Sequence, residues 1–109
     1  MLDYLDADLR NFINQYVTSF LAWDIIVFFH KNPSAIGAAN ELAGRLGRRA
    51  EDIEQAAQEL VGKAVLTCDD TIFMYTPSDD TRLLVDRFVQ AINIREKRLL
   101  ILTEVLKRR

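Results

Sequence analysis

The chain has 109 residues, half of them hydrophobic and 28% charged, with a formal net charge of −2. This is the makeup of one folded domain and excludes a disordered, collagen-like or linker-rich chain; with four Gly and two Pro, low complexity is excluded too. Cys68, the single cysteine, has no partner for an internal disulfide, and the acidic start Met1-Leu2-Asp3-Tyr4-Leu5-Asp6 lacks the basic region of a secretion signal, so the chain is expected to be cytoplasmic.

The first helix is predicted to start near Asp6, where Asp3, Asp6 and Asp8 suit the positive end of a helix dipole. Leu9, Phe12, Ile13, Tyr16, Val17, Phe20 and Leu21 recur with a 3.6-residue period. The pattern runs on through Trp23, Ile25, Ile26, Val27, Phe28 and Phe29, giving one long helix or two with a bend near Ser19, stopped before Pro33. The apolar run Val17–Phe29 is thirteen residues long and holds Thr18, Ser19 and Asp24. It falls short of the ~20 residues a bilayer requires and reads as a buried helix, with no membrane partner.

Ser34 is the expected N-cap of a second helix packed through Ala35, Ile36, Ala39, Leu42, Ala43 and Leu46, with Gly44 a weak point and Gly47 as its left-handed terminus. A third helix is predicted from about Ala50 to Lys63, with Ile53, Ala56, Ala57, Leu60 and Val61 inward. The β-prone runs 64–68 and 72–76, separated by Asp69-Asp70-Thr71, predict a hairpin. After Pro77, Ser78 or Asp79 caps a final helix of about thirty residues running to about residue 108. In it Val85, Phe88, Ile92, Arg95, Leu99, Leu102 and Leu106 alternate by three and four, a heptad seam with one polar member. So small a chain has little core to cover that seam, so a homodimer interface along it is expected.

Charge is unevenly placed. Residues 1–24 hold Asp3, Asp6, Asp8 and Asp24 against Arg10, and residues 64–81 hold four Asp and no cation. Residues 82–109 hold eight Lys or Arg against three acids, ending Lys107-Arg108-Arg109.

Glu41-Leu42-Ala43, Leu46-Gly47, Ile53, Ala57, Leu60 and Gly62-Lys63-Ala64-Val65-Leu66 resemble the winged helix-turn-helix core of bacterial transcriptional regulators, with Ala64 where a glycine is often found. Trp23–Phe29 resembles that superfamily's first helix. The resemblance implies a mainly α, α+β fold: a core at about 20–77 with a two-stranded β-wing, and flanking dimerisation helices at about 6–19 and 79–108, in a single domain of residues 1–109. It also implies that the third helix enters the DNA major groove. Arg45, Arg48, Arg49, Gln55 and Gln58 are then the candidate contacts, since Arg and Gln pair with base edges and Arg holds phosphates.

Glu51, Asp52, Glu54, Glu59 and the Asp69-Asp70 turn stand against phosphate binding. Two functions are therefore carried forward: a homodimeric DNA-binding transcriptional regulator and, as the alternative, a winged-helix protein-interaction module that leaves DNA alone. No glycine-rich phosphate loop, nucleophile elbow or His–carboxylate–Ser set is present, so neither catalysis nor a cofactor is expected. His30 lacks a second histidine to make a metal site and reads as a helix-end residue, and Cys68 reads as a half-buried strand residue.

Overall fold

The structure, a computed structural model, describes residues 5–107. It is mainly helical with a small antiparallel sheet, an α+β fold: α1 (Ala7–Tyr16), α2 (Phe20–Lys31), β1 (Ile36–Gly37), α3 (Ala39–Leu46), α4 (Ala50–Gly62), β2 (Leu66–Asp69), β3 (Ile72–Tyr75), α5 (Asp79–Ile92) and α6 (Arg95–Leu106). Asp3, Arg108 and Arg109 lie outside the described residues.

The first apolar run is two helices, and the break falls at Ser19. The Ser19 hydroxyl accepts from Ala22 N–H at 3.0 Å and caps α2, which leaves α1 at an angle of 109°. Asp6 caps α1 in the same way, accepting from Leu9 N–H at 2.9 Å. No single helix among the described residues is long and apolar enough to cross a membrane.

The expected second helix is corrected at its start. Ser34 does not cap it, and Ala35 and Ile36 are not in it. Asn32–Ala35 form a turn closed by Ala35 N–H on Asn32 C=O, with Pro33 preset for the bend. Ile36 and Gly37 then pair antiparallel with Met74 and Phe73, which leaves Ile36 64% exposed. The helix starts at Ala39, where the Glu41 carboxylate accepts from Ala38 N–H at 2.9 Å. The helical spacing of Ala35 and Ile36 is thus overridden by pairing with a strand almost forty residues away. The expected two-stranded wing accordingly gains a third strand, in the order β1–β3–β2.

The long final helix is also corrected. It breaks at Asn93-Ile94 into α5 and α6, with Ile94 extended at ψ 119°. The break lets α6 fold back on α1 and α5, where Ile101 and Val105 are fully buried. One core joins all layers: Phe12, Ile13, Val17, Ile25, Ile26, Phe29, Ile53, Leu60, Phe73, Val85 and Phe88 are at most 1% exposed. Phe88 sits among Phe12 and Trp23, ring centroids 5.8 and 5.4 Å away. It therefore ties α1, α2 and α5 together. Arg87 on α5 holds Asp6 at the start of α1 and lies 4.0 Å from Asp8, fastening the same junction at the surface.

Candidate functional site: the outer face of α4 and the hairpin

The position of α4 follows from two helix endings of one kind. Gly47, at φ 67° and ψ 38°, ends α3, and Arg48 N–H returns to Ala43 C=O at 3.0 Å. Three residues after Gly47 α4 begins, its Ile53, Ala56, Ala57 and Leu60 turned into the core. Alanine at 56 and 57 allows α4 to lie close on α2 and α3. Ala64, at φ 62°, ends α4: Val65 N–H returns to Leu60 C=O and Ala64 N–H to Val61 C=O, both at 3.0 Å. The chain then enters β2. The hairpin pairs Asp69 with Ile72 and turns through Asp70-Thr71, where Asp70 takes φ 60°.

The opposite face of α4 is exposed and carries Glu51, Asp52, Glu54, Gln55, Gln58 and Glu59. Asp69 and Asp70 stand exposed at the hairpin tip. Between the α1–α2 corner and α4 lies an open cleft of about 410 Å³ lined by Thr18, Ser19, Leu21, Asp52, Gln55 and Glu59. The Thr18 hydroxyl lies 3.5 Å from the Glu59 carboxylate, to which it donates.

Most of the residues singled out as groove contacts already have partners. Arg48 pairs with Asp24 of α2. Arg49, the residue preceding α4, is 3.2 Å from Glu51, and the pair is about three-quarters exposed. The Arg45 guanidinium sits 5.7 Å from the Phe28 ring centroid. Gln58 donates to Glu54 at 2.9 Å, one helical turn away. Gln55 lines the cleft. Lys63, the next cation along, donates to Gln15 C=O.

Of the seven residues of the expected dimer seam, two are corrected: Val85 and Phe88 are 0% exposed and fill the chain's own core. Ile92 and Leu102 are half-buried, while Arg95, Leu99 and Leu106 are exposed.

Three further arrangements had no signal in the sequence. His30 Nε2 lies 2.9 Å from Asp86 Oδ1, joining the end of α2 to α5 across 56 positions of chain. Asp24 serves as the Arg48 counterion, although in the sequence it only interrupts an apolar run. Tyr75 stacks on Phe29 with Arg82 over its ring, and burial raises its phenol above the ordinary 10.0, with Arg82 opposing and Asp86 adding to the rise. No group of three or more His, Cys, Asp or Glu stands close enough to hold a metal ion among the described residues. No protein-family model, curated protein sequence or solved structure matches the chain.

Proposed function

We propose that this chain is a winged helix-turn-helix module whose α4 face and hairpin tip dock on a positively charged protein surface. The order helix–strand–helix–helix–strand–strand over α2 to β3, with its β1–β3–β2 sheet, supports the winged-helix reading. The docking chemistry rests on one observation: six exposed carboxylates (Glu51, Asp52, Glu54, Glu59, Asp69, Asp70) occupy the surfaces that a groove-binding module turns toward phosphate. A carboxylate ~5 Å from a phosphate is repelled by ~0.8 kcal/mol even in bulk water. It also displaces a cation that would have released a counterion. A basic protein surface reverses both signs.

Homodimeric DNA binding is the second reading, and a specific cluster favours it: Arg45, Arg48 and Arg49 gather at the α3–α4 turn. Exposed ion pairs such as Arg48–Asp24 and Arg49–Glu51 contribute ~0–1 kcal/mol each, so a phosphate competes with them at little cost. Fluorescence anisotropy at low and moderate salt separates the two readings. One probe is random-sequence duplex DNA and the other a labelled Lys/Arg-rich peptide. The protein-docking reading expects saturable, salt-sensitive peptide binding that Glu51→Lys/Glu54→Lys abolishes, with no DNA binding even at low salt. DNA binding that weakens steeply with salt, and is lost in Arg48→Ala/Arg49→Ala, would overturn it.

A further inference from the structure

We infer that α6 is a self-association helix that pairs antiparallel with α6 of a second copy. The inference is independent of what α4 binds. Five large apolar side chains are conspicuously exposed among the described residues, and three of them, Ile94, Leu99 and Leu106, lie on α6 or at its start. Leu99 and Leu106 are 55% and 54% exposed. With half-buried Leu102 and with Arg95 they recur at spacings of four, three and four, so they form one straight stripe along the helix. Ile101 and Val105, about a quarter-turn or more round α6 from the stripe, already fill the core, so this stripe is a second apolar face beside the buried one.

Arg95 selects the occupant. It stands in the first turn of α6, beside the partial positive charge of its own helix end, and pairs with no carboxylate among the described residues. In an antiparallel pair, Leu99 packs on Leu102 of the partner subunit, and Leu102 on the partner's Leu99. Arg95 then lies across the partner's Leu106. Its methylene stem covers that leucine, and its guanidinium reaches the carbonyl end of the partner's helix. A parallel pair would set Arg95 against Arg95 at two positive helix ends. The stripe is self-complementary about a point between Leu100 and Ile101, as a twofold contact requires.

The charges make the association distinctive. α6 bears Arg95, Lys97 and Arg98 against Glu96 and Glu104, and Lys107 follows as its C-cap, so two such helices carry like net charge and repel while the leucines attract. Self-association therefore strengthens as salt screens that repulsion. Binding of the same face to an acidic protein or an anionic membrane would weaken with salt.

Sedimentation equilibrium of the full chain from about 10 µM to about 1 mM covers the range in which an interface below standard size assembles. The weight-average mass is expected to rise from 12.5 kDa toward twice that value, at lower concentration in high salt than in low salt. Leu99→Glu/Leu106→Glu should stay monomeric with unchanged helical circular dichroism, since both side chains face solvent. A wild-type monomer throughout would overturn the inference, as would association that weakens with salt or persists in the double variant.

Orientation is read in a Cys68→Ser background by mixing Leu99→Cys with Leu102→Cys under oxidising conditions. Mixed disulfides should dominate. Predominant Leu99→Cys self-linkage would refute the antiparallel pairing. Capture of the monomer by vesicles of anionic lipid, with no self-association at any salt concentration, would show that a membrane and not a second copy covers the stripe.

Discussion

Ala64 occupies a position made for glycine, and replacing it should stabilise the protein. Its φ of 62° lies where the Cβ of an L-residue crowds the following carbonyl, at a cost of about 1–2 kcal/mol. The surrounding hydrogen bonds, Val65 N–H to Leu60 C=O and Ala64 N–H to Val61 C=O, hold it there. Glycine removes the strain but loses about 0.4–1 kcal/mol more chain entropy on folding. The difference leaves Ala64→Gly more stable by about 0.8 kcal/mol, within a range of about 0–1.6. At a urea m-value of about 1.3 kcal/mol/M for a chain of this size, the midpoint should rise by about 0.6 M with m unchanged.

Gly47 supplies the reciprocal experiment. It ends α3 with the same geometry, and a Cβ built on it meets nothing within 4 Å. Gly47→Ala therefore adds no clash with the rest of the molecule and exposes the backbone effect alone, a loss of about 0.8 kcal/mol. Urea melts followed by circular dichroism at 222 nm read both variants. A lower midpoint for Ala64→Gly at constant m, or an undiminished one for Gly47→Ala, would refute the account of both helix endings.

Gly44 lies mid-helix in α3, and a Cβ there also meets nothing within 4 Å, so Gly44→Ala should stabilise by about 0.5–1 kcal/mol in the same melts. The Tyr75 hydroxyl is buried and finds no hydrogen-bond partner among the described residues, so Tyr75→Phe should stabilise by about 1 kcal/mol while keeping the Phe29 stack. With its phenol raised above 10.0, the neutral Tyr75 is favoured in the fold. Its contribution is complete below pH 10.0 and is lost as pH rises through the folded value, so the advantage of Tyr75→Phe should widen in alkali. The Asp6 carboxyl is lowered from 3.8, chiefly by the Leu9 N–H it caps; burial opposes this, and Arg87 adds to the lowering. Its contribution is therefore complete above pH 3.8 and lost as pH falls through the folded value. Asp6→Ala should cost about 1 kcal/mol at pH 7 and progressively less in acid, and a pH-independent difference would refute the charged cap.

Where the fold was legible in the sequence, the signal was local. The Ser19 bend, the glycine at 47, the α4 boundaries and the hairpin all follow from caps, turn residues and periodicity within a few positions. Ala64 was readable as an alanine in a glycine's place, and it does adopt positive φ. The errors came from longer-range effects. Ile36-Gly37 is a strand only because β3 lies beside it, and nothing within its own segment marks that. The seam from Val85 to Leu106 has unbroken heptad spacing, yet the helix breaks at Asn93-Ile94 because Ile101 and Val105 bury against α1 and α5 when α6 turns back. Candidate contact residues were identifiable by type and by face. Their occupancy was not, because Arg48–Asp24 spans 24 positions and His30–Asp86 spans 56.

The same distribution of charge links the two proposed surfaces. Exposed carboxylates gather on α4 and the hairpin tip, while α6 and its C-cap Lys107 carry four cations alongside the leucine stripe. An interface that relied on α4 meeting α6 of another copy would be electrostatically favourable, but it would set the exposed leucines against Glu, Asp and Gln. Such head-to-tail contacts have no reason to close and would build open chains. Pairing α6 with α6 buries leucine on leucine and leaves both acidic faces exposed. The charge repulsion along α6 limits the strength of that pairing, and the acids on α4 suppress its use as a substitute site. A dimer assembled this way presents two identical acidic faces, so a partner with paired basic sites would bind it more tightly than a monomeric variant, without any new contact. Comparing binding of wild-type and Leu99→Glu/Leu106→Glu protein to a tandem Lys/Arg-rich peptide and to its single-site form tests that coupling. The tandem advantage should vanish in the monomeric variant, while single-site affinity stays the same.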